Sequence, residues 1–272
     1  MRSLKKLSII SALATTAVLQ VLSSSASAFT LNSTNNTNTL LNELLGNTSG
    51  LSNFQVTTTG DSRAFGTFNS DPFGLGSGIV LSTGDVTHLA GPNNSGSTTT
   101  DLTGPDSITL DISFDADHTA DKLFFSYVFG SEEFLEYAGS GYNDSFTLSL
   151  NGTNLALLNN GDTVTINNLA GGSSGPFSPN FIDNSNGSVQ TELDGYTTVL
   201  GFEGLLNKNA TNTLSINIQD VGDSSWDSAV FIKGNSLSTV NPTAVPEPGT
   251  VVGLLVTGVL AGLSRRFKAA FR

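Results

Sequence analysis

The sequence predicts a mainly β chain: a single antiparallel β-sandwich or jelly-roll-like domain with short helices, plus a hydrophobic targeting helix at each terminus. Three observations predict it. Short apolar or alternating runs recur between clusters of turn residues, strand-like runs outnumber helical ones throughout, and 29 glycines in 272 residues supply the turns.

In chain order, the first element is a targeting segment. Arg2, Lys5 and Lys6 precede an apolar run from Leu7 to Leu22, and Ala26-Ser27-Ala28 then offers the small-x-small pattern that a signal peptidase accepts. Sixteen moderately apolar residues are short for a membrane anchor, so residues 1–28 read as a signal peptide and Phe29 as the first mature residue. Residues 29–39, rich in Asn, Thr and Ser without periodicity, read as a flexible leader. "LLNELL" at 40–45 is a short helix candidate ending at Gly46.

Strand candidates follow at 54–58, 64–68, 78–82, 107–114, 122–129, 145–150, 163–166, 197–202, 213–220 and 229–233. Leu214-Ser215-Ile216-Asn217-Ile218 alternates cleanly, which implies one buried face and one wet face. Residues 40–238 read as one domain without internal repeats, and 239–248 as a Pro-rich linker. Residues 249–264, "GTVVGLLVTGVLAGLS", form a transmembrane candidate reaching about 24 Å as a helix, just short of the ~30 Å hydrocarbon core. Arg265, Arg266, Lys268 and Arg272 make 265–272 a basic tail, which stays cytoplasmic under the positive-inside rule and leaves the body outside.

Once both ends are set aside, only Arg63, Lys122, Lys208 and Lys233 stand against 22 acidic residues, a balance of −18. That excludes nucleic acid as a partner, because such binding rests on basic contacts to phosphate. It suits a soluble, cation-binding surface. There is no cysteine, so stability in an exported domain must come from the core, from metal, or from both.

Three acidic stretches stand out. "FGSEEFLEY" places Glu132, Glu133 and Glu136 just after the apolar run "KLFFSYV", with Asn143-Asp144 close behind. "INIQDVGDSSWDSAVFI" places Asp220, Asp223 and Asp227 between two strand candidates. "SFDADHTADKL" places Asp115, Asp117 and Asp121 in an expected hairpin turn; it begins like an EF-hand loop but lacks the later glycine and glutamate, and reads as a turn only. Carboxylates crowded at the ends of rigid strands repel one another, and four basic side chains cannot neutralise them. Ca²⁺, which takes six to eight oxygen ligands in flexible geometry, is the economical partner. With no Cys and only His88 and His118, transition metals are disfavoured. The expected ligands are Glu132, Glu133, Asp144, Asp220, Asp223 and Asp227. Glu136 is left out as a solvated neighbour.

Two other readings stay open. Tyr137, Tyr142, Tyr196 or Trp226 could present an aromatic face to sugar, making the domain a carbohydrate-binding adhesin with Ca²⁺ ordering the loop. Glu132 or Glu133 with Asp144 could be the carboxylate pair of a glycoside hydrolase. Against an enzyme, a Glu-Glu dipeptide on extended chain sends its side chains to opposite faces, and neither a nucleophile elbow nor a phosphate loop is present.

Two resemblances add to this. Val245-Pro246-Glu247-Pro248, the apolar span and the arginine-rich end together resemble the PEP-CTERM sorting signal of exported Gram-negative bacterial proteins. That resemblance implies handling by an exosortase-like membrane protease and a transient anchor. "GSGIVLSTGDV" with "GPNNS", "FFSYVFGSEEFLEYAGSGYNDSFTLSLNG", "LDGYTTVL" and "INIQDVGDSSWDSAVFIKGNSL" together resemble the bacterial choice-of-anchor L domain. The family is named for members that carry one of several C-terminal surface anchors, and the resemblance implies a β-rich extracellular domain without supplying a reaction. Where family members often have an aromatic-proline pair after Ser-Glu-Glu, this chain has Phe134-Leu135.

The expectation is therefore a non-enzymatic protein stabilised by Ca²⁺, exported through the inner membrane and transiently anchored, then placed at the cell surface or in the extracellular matrix. Its expected partners are signal peptidase, the sorting protease, and extracellular polysaccharide or surface proteins.

Overall fold

A computed structural model describes residues 28–94, 102 and 107–241. The signal segment before residue 28, the sorting motif Val245–Pro248, the apolar span 249–264 and the basic tail lie outside these residues. Among the described residues no helix is long and apolar enough to cross a membrane.

The strands are β1 (Thr30–Ser33), β2 (Leu51–Thr59), β3 (Phe65–Asn69), β4 (Ser77–Ser82), β5 (Ser107–Ala116), β6 (Lys122–Ser131), β7 (Ser145–Leu150), β8 (Thr153–Asn154), β9 (Val164–Thr165), β10 (Phe181–Asp183), β11 (Gly195–Thr197), β12 (Leu200–Leu205), β13 (Ala210–Gln219) and β14 (Ser228–Lys233). Two short helices accompany them, α1 (Thr37–Leu44) and α2 (Ile166–Leu169). All strand pairs are antiparallel and fall into two sheets rather than a barrel. One runs β1-β3-β4-β14-β6-β11-β10 with β12 also on β6; the other runs β2-β5-β13-β7-β8 with β9 on β7.

Alternation explains the second sheet. In β5, Ile108, Leu110, Ile112 and Phe114 point inward, and their neighbours are only half-buried. β13 and β7 do the same with Leu214, Ile216 and Ile218 and with Phe146, Leu148 and Leu150. These meet Phe65, Ile79, Leu81, Phe125, Tyr127, Phe129, Val230 and Ile232 of the first sheet in one core. Each such large side chain buried contributes about 1.5–3 kcal/mol relative to exposure.

The first sheet differs because its outer face is also covered. A second apolar cluster contains Phe68, Val80, Val128, Tyr196, Ala229 and Phe231, with Phe29, Leu31 and Phe73 packed on it. Burial on both faces is why β6 reads as an unbroken apolar run, a pattern of doubly covered strands. It also accounts for residues 29–39, read above as a flexible leader. Phe29 packs at 6.0 Å on Phe231, β1 pairs with β3, and Asn36 caps α1 by accepting from the Thr39 amide (3.0 Å).

The expected hairpin at Asp115–Asp121 is a correction. β5 and β6 belong to different sheets, so the chain crosses the core edge there instead of folding back on itself. The crossings β6 to β7 and β13 to β14 also pass from one sheet to the other. Register sets these last two side by side. Ser228 pairs with Ser131 in the first sheet, and Gln219 pairs with Ser145 in the second. Two acidic crossings therefore leave and enter neighbouring strands at one end of the molecule, and the β5–β6 crossing lies at the other end of β6.

Candidate cation site at the paired crossings

The two crossings are stitched together by backbone groups and carboxylates. The Glu132 amide donates to the Asp227 carbonyl (3.0 Å), and the Asp227 amide donates to Glu132 Oε2 (3.2 Å), which extends the β6–β14 ladder beyond both strands. Asp144, fully buried, accepts from the Val221 amide at Oδ1 (2.9 Å) and from the Ser228 hydroxyl at Oδ2 (2.6 Å). Ser228 is held in turn, its amide donating to Thr83 Oγ1 (2.9 Å) and its carbonyl accepting from Ser82 Oγ (3.0 Å).

That brings in a third segment. Gly84 follows β4, and a Cβ there would lie 1.8 Å from Asp227 Oδ2, so only glycine admits this carboxylate. The "STG" of "GSGIVLSTGDV" is thus part of the wall of the site.

Glu133 sits at the centre. Its amide donates to Ser131 Oγ (2.9 Å), its side chain is 1% exposed, and neither carboxylate oxygen has a hydrogen-bond partner among the described residues. Burial pushes its pKa up to about 9, and the negative charges of Asp144, Asp223, Asp220 and Glu132 push the same way. Asp144 rises to about 6, again chiefly by burial, against the lowering effect of its bonds from Ser228 and Val221. Such a concentration of buried carboxylates is costly unless a cation is present.

Among the described residues, the Lys and Arg side chains lie elsewhere. Arg63 pairs with Asp61, Lys122 with Glu203 and Lys208 with Asp121, while Lys233 ends β14 away from Ser228.

The six residues read from sequence therefore gather in one place. Glu132, Glu133, Asp144, Asp220 and Asp227 are buried, and Asp223 is half-buried. All are hard oxygen donors, the set that suits a Ca²⁺-type ion. Among the described residues, however, no three His, Asp or Glu side chains are already drawn around one point as a metal cage. Sequence reasoning missed Asp194. Its amide donates to the Ser131 carbonyl (3.0 Å), and Asn93 donates to its Oδ1 (2.6 Å). Burial lifts it to about 7, with Glu136, Glu132 and Asp183 adding to the rise. The signal lay in "LDGYTTVL", where an acid directly precedes a short strand.

Of the four aromatic candidates, three gather at this end. Tyr137 lies 4.6 Å from Trp226 and 5.3 Å from Tyr142, ring centre to ring centre. Tyr196 is separate: it is buried in the second apolar cluster, 5.0 Å from Phe73.

The model of the choice-of-anchor L domain matches residues 29–238, and that of the PEP-CTERM protein-sorting motif matches residues 244–268. No curated protein matches the chain. Among solved structures, "Crystal structure of Agl-KA catalytic domain" aligns at 14% identity and a TM-score of 0.22, too low to carry an argument. The alignment covers 72% of this chain and 29% of that one, so the chain spans under a third of that protein's length. The sorting motif supports export, processing by an exosortase-type protease and placement at the surface or outside the cell. The chain belongs to the choice-of-anchor L domain family, and its domain is followed by a PEP-CTERM sorting motif.

Proposed function

We propose that this exported surface protein is a structural or interaction module, not an enzyme, whose paired crossings take up a divalent cation of the Ca²⁺ type. The single observation that carries the reading is Glu133: a buried carboxylate without a hydrogen-bond partner, ringed by four other acids. Glu133, Glu132, Asp144, Asp220, Asp223 and Asp227 would supply the oxygens, and the bound charge would relieve their repulsion. A non-catalytic role is favoured because the surrounding carboxylates are fixed by the framework. Each Asp144 oxygen accepts one hydrogen bond, from Val221 or from Ser228, which orients the carboxylate and leaves a lone pair on each oxygen for a cation, and Glu132 is tied to the Asp227 amide. The domain would then be held rigid at the cell surface while the tail is handled by the sorting protease.

The test is thermal unfolding of the purified protein in calcium and in chelator. A ligand that binds only the folded state stabilises by about 2.7 kcal/mol at a hundredfold excess over Kd, and a domain of this size gains about 2–4 °C per kcal/mol. The expected result is a melting temperature about 5–10 °C higher in calcium. Equal melting temperatures overturn the proposal.

A further inference from the structure

We infer that the calcium-loaded crossings bind neutral saccharide, with Trp226 and Tyr142 stacking on the sugar ring and the cation meeting its hydroxyls. The inference rests on the cation reading above.

The observation behind it is where three aromatic side chains have been placed. Tyr137, Tyr142 and Trp226 are half-buried, and neither apolar core takes in any of them. They sit instead on the two crossings that carry the carboxylates. Tyr137 is the hinge of the group, with Trp226 tilted 52° and Tyr142 set at 83° to its ring, so the trio forms a corner and not a flat stack. The Tyr137 amide donates to the Glu133 carbonyl (3.1 Å), Trp226 directly precedes Asp227 and Tyr142 stands two residues before Asp144, which places the rings beside the proposed cation ligands.

The platform is also braced before any ligand arrives. Asn167 accepts from the Gly139 amide (2.6 Å) and donates to the Ser140 carbonyl (2.9 Å), while its own amide donates to Asn143 Oδ1 (2.9 Å). The Tyr142 amide donates to Ser140 Oγ (3.2 Å). Gly222 leaves room for Tyr142, since a Cβ there would lie 2.8 Å from its ring. Trp226 is held at φ 60°, a conformation that bulky residues rarely adopt and that is retained where the surroundings fix it. A rigid aromatic corner lowers the ordering cost of binding.

Charge selects the ligand class. Acidic residues dominate the domain, and the cluster itself repels polyanions. A neutral sugar offers an apolar C–H face to the rings and vicinal hydroxyls that would complete the six to eight oxygens a Ca²⁺-type ion takes.

The test is an array of neutral and anionic oligosaccharides, probed with the protein in calcium and again in chelator. Retention of neutral saccharides in calcium, lost in chelator, is expected. Trp226→Ala and Tyr142→Ala should each weaken retention about tenfold, the loss of one stacking contact, while the calcium-dependent gain in melting temperature persists. If Trp226→Ala loses that gain as well, Tyr142→Ala decides the matter. A protein that gains stability from calcium yet retains no neutral saccharide overturns this inference and leaves the cation site standing. Binding confined to anionic saccharides, binding equal in chelator, or binding untouched by both ring variants also overturns it. No gain from calcium at all removes the cation reading, and this inference falls with it.

Discussion

Acids flank strand β6 on both sides, and its two ends behave oppositely. At the first end, Asp115 accepts from Asn53 Nδ2 (2.8 Å) and Thr211 Oγ1 (2.6 Å), and Asp117 accepts from the Thr119 amide (2.7 Å) and hydroxyl (2.6 Å). These bonds favour the ionised forms and hold both carboxylates below their ordinary range. Asp121 pairs with Lys208 in the open. At the other end Glu133 is enclosed without a donor, and burial lifts it and Asp144 well above theirs. Three acids in a short stretch occur at both ends, so composition does not separate them. A second crossing lies alongside at both ends: at the first, β12–β13 brings Lys208 to the Asp121 carboxylate and the Leu206 amide to its carbonyl, whereas at the other, β13–β14 brings three more acids, Asp220, Asp223 and Asp227.

The comparison can be broken most directly by removing the charge at Glu133. Glu133→Gln keeps the shape and removes the cost of holding a proton on a buried acid that ionises in the unfolded chain, so in chelator at neutral pH the variant should melt several degrees above the parent. The same change should abolish most of the rise on adding calcium, giving a crossover measurable in one set of melting curves. A variant that still responds fully to calcium would remove Glu133 from the site.

The next effect is on pH. In chelator, folded Glu133 holds a proton that the unfolded chain releases near 4.5, and it keeps that proton up to about 9. The folded state thus binds more protons across this window, so stability is highest at its acid end and falls as pH rises towards 9. Asp144 adds the same sign between 3.8 and about 6. Asp115 and Asp117 act in reverse, their contribution fading as pH drops below the ordinary carboxylate range. Urea titrations across pH should show the fall in the parent and a flatter profile in Glu133→Gln.

A smaller effect is expected from Gly84→Ala, which adds a methyl where Asp227 Oδ2 lies and changes no charge. Overpacking of this kind costs about 1–3 kcal/mol. Calcium affinity, read by calorimetry, should fall with it. The smallest change is expected from Asp117→Asn at the other end of β6: a minor drop in melting temperature, equal in calcium and chelator.

Much of this was legible in the sequence. Alternation in Leu214–Ile218 marked a sheet with one buried face, and β7 falls on the expected residues 145–150. The six carboxylates stood out by their position beside strand ends, and the structure brings them to one end of the molecule. Partnership was not legible, because a period of two shows which face is buried and not which strand lies beside it. So the β5–β6 connection looked like a hairpin, although its strands lie in different sheets. β1 was missed for a similar reason: Thr30–Ser33 has no apolar pattern, and its place depends on Phe29 and Leu31 fitting the cover of the first sheet. Asp194 was missed because its neighbour Ser131 is distant in sequence and close only through β11.

The stitching of the crossings also has a temporal side. Glu132 and Asp227 are 95 residues apart, and Ser228 opens the strand that lies between β4 and β6. During N-to-C synthesis Glu132, Glu133 and Asp144 are made long before their partners, while the centre of the first sheet still lacks a strand. The last strand inserts only a short way before the sorting motif at 244–268 is made. The acidic end therefore cannot close until residues 220–228 have been made, only a short stretch of chain before the segment that directs the protein to the surface.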